Sequence, residues 1–130
     1  MRVRKLSDCY KNLSNKNYPI FLLGDAKDIL KNIEDNSVDF IITSPPYDNL
    51  RDYKGFCFNF EEIAIEIFRI LKNGGVMVWI VGDSVINGSE SLSSFKQAIY
   101  FKEIGFKIHD TMIYQKNNFS NPSKTRYHQI

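Results

Sequence analysis

Long apolar runs are missing from this chain. The best of them, Val76 to Val81, is far shorter than the roughly 20 residues that span a bilayer. The N-terminus carries Arg2, Arg4 and Lys5 but no apolar segment of a signal peptide follows, so a cytoplasmic location is expected. Cysteine is scarce: Cys9 and Cys57 stand alone, without metal-ligand spacing or a disulfide framework, and both read as inert thiols. Histidine is equally sparse, and His109 and His128 have no plausible triad partner, which argues for structural roles. No repeat or low-complexity tract is present, and 43% hydrophobic with 25% charged residues is an ordinary globular composition. At 130 residues the chain is one domain at most, spanning 1–130, and short for an enzyme.

The formal charge of +2 is unevenly spread. Five basic residues against one acid occupy 1–20. Lys116, Lys124 and Arg126 occupy 111–130 without an acid, leaving an acidic middle. Basic ends about an acidic centre suit a polyanion gripped at the margins of a site, or simply a solvated surface.

Short apolar runs alternate with helical periodicity. Ile20 to Leu23 reads as a buried strand ending at Gly24–Asp25, followed by a helix over Lys27 to Ile33 with Ile29, Leu30 and Ile33 on one face. Asp35–Asn36 reads as a turn, and Val38 to Thr43 as the next strand. Pro45–Pro46 can continue neither element, so 44–55 is a loop. Asn59 offers an N-cap with Glu62 three residues on, and Ile63, Ile67, Ile70 and Leu71 supply an apolar face before a stop at Asn73–Gly74–Gly75. Val76 to Val81, with Trp79 in the core, is the third strand and ends at Gly82–Asp83. A helix from Phe95 to Ile104 closes at Gly105, and a last strand lies near Ile108 to Tyr114. This alternation predicts an α/β fold, parallel in its first three strands.

In such sheets ligands bind beyond the carboxyl ends of the strands. Three of these ends carry small or acidic residues: Gly24–Asp25, Ser44 to Tyr47, and Gly82–Asp83. Consecutive prolines stiffen the middle one and remove two N–H donors, leaving the Ser44 hydroxyl and the carbonyls near Pro45 as a row of acceptors ahead of the Tyr47 ring. This arrangement suits a planar heterocycle bearing an amino group, which donates to Ser44 and a proline carbonyl while stacking on Tyr47. Such a stack contributes roughly 1–3 kcal/mol, against the few kcal/mol needed to flip a base out of a duplex.

At Ser37-Val38-Asp39-Phe40-Ile41-Ile42-Thr43-Ser44-Pro45-Pro46-Tyr47, with Gly24–Asp25 ahead, the sequence resembles the DNA amino-methyltransferases of bacteria and phages. Their motif is Asp, Asn or Ser, then Pro-Pro and an aromatic. The resemblance continues through Gly74 to Asp83, Asp110 to Gln115 and Asn121-Pro122-Ser123. It implies a partial Rossmann-like methyltransferase sheet in a three-layer α/β/α arrangement. It also implies direct transfer of a methyl group from S-adenosylmethionine to an exocyclic nitrogen of a flipped base in double-stranded DNA, as in restriction-modification systems. The Ser form of the motif favours N4 of cytosine, and N6 of adenine is the nearest variant. The implied catalytic residues are Ser44, Pro45, Pro46 and Tyr47, and no metal is implied. Gly24 and Asp25 match the position at the cofactor's adenine end, although Asp25 can equally cap the following helix. Arg51, Tyr53, Lys124 and Arg126 are the candidate DNA contacts, with a solvated surface as the plain alternative.

The family's Phe-x-Gly-x-Gly loop, which cradles the methionine part of the cofactor, is absent from these 130 residues. The expectation is therefore an N-terminal portion, or one half of a split enzyme completed by a second chain that supplies the glycine loop and target recognition. Methylation of a protein glutamine or of RNA is disfavoured, since those enzymes place the glycine loop upstream of their Pro-Pro motif. A non-enzymatic remnant with weak DNA affinity is the reading from another class.

Overall fold

The computed structural model describes residues 21–47 and 58–114. These fall into two compact units, one containing 21–45 and 58–80, the other 46–47 and 81–114.

The first unit is built on a βαβ arrangement. Helix α1 (Ala26–Leu30) begins where the Asp25 side chain accepts from the Lys27 N–H at 3.1 Å. Strand β1 (Val38–Thr43) pairs in parallel with β2 (Leu71–Trp79), matching Phe40 to Val76 and Thr43 to Trp79. Parallel neighbours need a crossover, and helix α2 (Phe60–Ile70) lies in it. Asn59 caps α2 as its sequence suggests, accepting from the Glu62 N–H at 3.4 Å. The expected apolar face is the core: Ile63, Ile67, Ile70 and Leu71 are all buried, together with Ala64. This parallel βαβ unit bears out the partial α/β class.

Arg69, on the last turn of α2, ties the unit together. Its guanidinium donates to the carbonyls of Leu30 and Ile33 at 2.8 Å each and to Glu66 at 2.7 and 2.9 Å, and it also pairs with Asp35. The Glu66 and Asp35 carboxylates hold its pKa above an already high ordinary value, so it stays charged at any working pH. The Asn36 and Ser37 N–H groups donate to the carbonyls of Arg69 and Ile70 at 3.0 and 2.9 Å. These N–H groups thus satisfy carbonyls that the end of α2 leaves without intrahelical partners.

Several expected elements differ. Helix α1 stops at Leu30 rather than Ile33, and β2 runs from Leu71 to Trp79 rather than from Val76 to Val81. Of the three strands expected to be parallel, only β1 and β2 pair among the described residues. The described residues of the first predicted strand, 21–23, form none, and Phe21 and Leu23 are 86% and 96% exposed. The strand expected near Ile108 to Tyr114 is likewise absent, with Met112, Ile113 and Tyr114 exposed. Apolar composition does not make a strand unless an edge accepts its N–H and C=O groups. Helix α2 stops at Ile70 rather than at Asn73–Gly75, because Leu71 turns to an extended backbone (φ −73°, ψ 132°) and joins β2. The two glycines instead serve an irregularity in that strand. Val38 faces Leu71, yet Phe40 already faces Val76, so β2 carries extra residues between these pairs. Gly74 has φ +81°, and a Cβ on Gly75 would lie 2.9 Å from the Lys72 carbonyl oxygen and 3.1 Å from that of Asp39. Only glycine fits so close an approach of two backbones.

In the second unit, β3 (Val85–Ile86) and β4 (Ser89–Glu90) form an antiparallel hairpin. Its turn is Asn87–Gly88 with φ 52° and 79°, the positive pair that a two-residue hairpin loop requires. Helix α3 (Ser93–Glu103) follows and ends, as expected, at Gly105 (φ +118°). Buried Phe101 meets Phe106 edge-on, at 5.2 Å between ring centroids, and sets this end. No described helix is long and apolar enough to cross a membrane, and no cluster of metal-ligating side chains occurs among the described residues.

Candidate functional site

Parallel pairing puts the carboxyl ends of β1 and β2 on one rim. There the Ile80 N–H extends the ladder, donating to the Thr43 carbonyl at 2.9 Å. Ser44 and Pro45 leave the sheet at this point. Ser44 is exposed and Pro45 is buried. Beside the rim, the half-buried Trp79 ring meets Phe58 at 6.4 Å and Phe60 edge-on at 5.9 Å. Trp79 therefore belongs to an aromatic cluster at the rim rather than to the sealed core. Pro46 and Tyr47 belong to the second unit and are half-buried.

Gly24 and Asp25 lie in the first unit but do not end a strand, because the strand expected before them is not formed. Each has a local structural duty. A Cβ on Gly24 would press on Ile29 Cδ1 at 3.1 Å. Asp25 Oδ1 caps α1, while Oδ2 lies 4.0 Å from Lys27 Nζ. The cap engages one carboxylate oxygen of a side chain that is 32% exposed, and a carboxylate's second oxygen can accept from a ligand's amino group.

Asp83 resolves to a structural role. Its carboxylate accepts from the Ser94 N–H at 2.8 Å and from Ser94 Oγ at 2.5 Å. The residue at the N-cap of α3, Leu92, has φ 56° and no side-chain cap bond, so Asp83 caps the helix from eleven positions away. Ser84 is buried and trades backbone contacts with Ser91: its N–H donates to Ser91 Oγ at 3.2 Å, and its carbonyl accepts from the Ser91 N–H at 2.8 Å. Sequence inspection missed this Asp83–Ser91–Ser94 knot and the Arg69 clamp. No local pattern marks a cap so far from its helix, but Asn87–Gly88 does announce the hairpin that brings Asp83 and Ser94 close. Arg51, Tyr53, Lys124 and Arg126 lie outside the described residues.

A family model described as DNA methylase (N6_N4_Mtase) matches residues 38–130, which include β1, the Pro-Pro loop and β2. The orphan methyltransferase M.BamHII of Bacillus amyloliquefaciens is 59% identical over 100 residues, covering 77% of this chain and 38% of that protein. The type II beta methyltransferase M.BslI of a Bacillus species is 32% identical over 130 residues, covering 87% of this chain and 14% of that protein. Among solved structures, TTHA0409 of Thermus thermophilus, described as a putative DNA modification methylase, superposes with a TM-score of 0.56 at 29% identity. That match covers 65% of this chain and 39% of the other. The chain thus spans about two fifths or less of the length of these relatives. With the Ser-Pro-Pro-Tyr loop leaving a parallel βαβ unit inside the matched region, the chain belongs to the N6/N4 DNA methylase family.

Proposed function

We propose that this chain forms the target-base side of an S-adenosylmethionine-dependent DNA methyltransferase acting on an exocyclic amino group, N4 of cytosine foremost and N6 of adenine as the variant. The observation that carries this reading is the Ser44-Pro45-Pro46-Tyr47 loop, which starts at the carboxyl end of β1 with Ser44 exposed and Pro45 buried. The nitrogen to be methylated has a lone pair delocalised into its ring. Ser44 Oγ and the Pro45 carbonyl accept its hydrogens, hold them out of the ring plane and stabilise the positive charge that develops on nitrogen. Tyr47 stacks on the extruded base. Ser44 is a weak base, so the surplus proton leaves for water after methyl transfer. Asp25, through its outer carboxylate oxygen, accepts from the adenine amino group of the cofactor. Bound S-adenosylmethionine supplies an electrophilic methyl group. A partner or further segment completes the cofactor cradle and target recognition, and double-stranded DNA is the substrate.

The test is transfer of labelled methyl groups into duplex DNA, followed by digestion to nucleosides. N4-methylcytosine supports the leading reading and N6-methyladenine the variant. Residues 21–23, which are exposed and outside the sheet, favour a second reading, a non-catalytic DNA-binding remnant. Retention of DNA without either methylated nucleoside would establish it.

A further inference from the structure

The geometry points to Gly82 as a positioning residue for Tyr47: it backs one face of the ring, so that a base engaged by Tyr47 meets the side turned away from Gly82. This rests on the reading that Tyr47 stacks on the target base. Gly82 does not adopt a positive φ, so backbone conformation does not demand glycine there. What its missing side chain faces is Tyr47. A Cβ at this position would lie 3.6 Å from Cδ2 and 3.9 Å from both Cγ and Cε2. Equal distances to the two ring neighbours, only slightly longer than that to Cδ2 itself, describe a point above the ring face. A point beyond the ring edge, in its plane, would be much farther from both neighbours.

This contact limits what can stack there. A base inserted between Tyr47 and Gly82 needs two contact distances of about 3.5 Å, or about 7 Å in all. The Gly82 Cα is one carbon–carbon bond, about 1.5 Å, from the Cβ position, which leaves the backbone within about 5 Å of Cδ2. The face towards Gly82 is therefore too tight for a flat ligand. A methyl group makes ordinary van der Waals contact there, whereas a branched side chain drives the ring off its position. Asp83, the next residue, is anchored to Ser94 of α3, which fixes the backbone that backs the ring.

The experiment is heteronuclear NMR of the full chain, titrated with cytidine and adenosine as free probes. The expected result has two parts. Gly82 Hα shows ring-current shielding and an Overhauser contact to Tyr47, and saturating nucleoside shifts the Tyr47 ring resonances while that contact persists. Gly82→Ala leaves the Tyr47 response close to that of the unaltered chain, whereas Gly82→Val and Gly82→Leu weaken it in order of size, the last by about tenfold, the scale of one base stack. In a Tyr47→Leu background Gly82→Leu weakens nucleoside binding no further, which a general loss of structure would not reproduce. Loss of the Overhauser contact on adding nucleoside, or an undiminished Tyr47 response in Gly82→Leu, overturns the inference alone. Tyr47 resonances that ignore both nucleosides, with the Gly82 contact intact, overturn the base-stacking reading and this role with it.

Discussion

Asp25 carries a structural duty and a proposed functional one on the same carboxylate, and a single substitution separates them. Serine also caps helices, so Asp25→Ser should keep α1 nearly as stable as before, whereas Asp25→Ala should lose about 1 kcal/mol of stability. If Oδ2 accepts from the cofactor's amino group, both variants should weaken S-adenosylmethionine binding in the completed enzyme to a similar extent. Urea unfolding and calorimetric titration read the two effects independently. Restoration of cofactor affinity by serine would reduce Asp25 to a cap. Ser44 calls for a different readout, because its hydroxyl is proposed to act on charge that exists only in the transition state. Ser44→Ala should therefore slow the chemical step roughly 100-fold, with little change in DNA affinity. Single-turnover kinetics beside equilibrium DNA binding distinguish this outcome from a loss of binding.

Among the elements, α2 and its exit into β2 concentrate the strongest structural commitments. Arg69 links the carbonyls of Leu30 and Ile33 to the Glu66 and Asp35 carboxylates, so its removal strands several partly buried acceptors at once. Arg69→Met keeps the aliphatic stem and should still cost about 2–4 kcal/mol, measured by urea unfolding. Arg69→Lys should recover only part of this, since an ammonium cannot reproduce the planar fork. Gly75→Ala brings a methyl group to 2.9 Å from the Lys72 carbonyl oxygen and should lower Tm, even though alanine is the better residue in most backbones. The N-cap at Asn59, the buried stripe of α2 and the stop at Gly105 were legible because each is encoded within a few adjacent residues. The Asn73–Gly74–Gly75 signal was legible as a break in regular structure but not as a bulge. Its meaning depends on the Asp39 carbonyl, 36 residues away from Gly75.

Over the whole molecule, the β1–β2 sheet presents an apolar face that the described structure leaves open. Phe40 and Ile42 lie two residues apart on β1 and so share a face, in register with Val76 and Val78. Phe40, Ile42 and Val76 are 54%, 62% and 56% exposed. Parallel sheets are ordinarily covered on both faces, and among the described residues neither outer edge of this two-stranded sheet is paired. The chain by itself should therefore self-associate at micromolar concentrations, and Ile42→Lys should shift it towards monomer without loss of helical signal. Size-exclusion chromatography with light scattering, beside circular dichroism, checks both. A wild-type chain that stays monomeric would mean that this face is shielded.

What the sequence by itself determined was local and chemical. The Ser-Pro-Pro-Tyr loop follows a strand because prolines end ladders, α2 begins at Asn59 because its side chain satisfies an orphan N–H, and VDFIIT is extended because its β-branched and aromatic residues suit a pleated sheet. The family could be read from the same residues, since the chemistry of holding an amino group restricts that loop to a few residue types. Tertiary structure alone decided which apolar runs became strands, because a strand is made by its pairing, and VDFIIT pairs with β2 whereas residues 21–23 and 108–114 form no strand. It also decided that Asp83 caps a helix, that Arg69 clamps a unit and that Gly82 lies over Tyr47. Those relations join residues 11 to 39 positions apart in the chain, at distances of a few ångströms that no local pattern encodes.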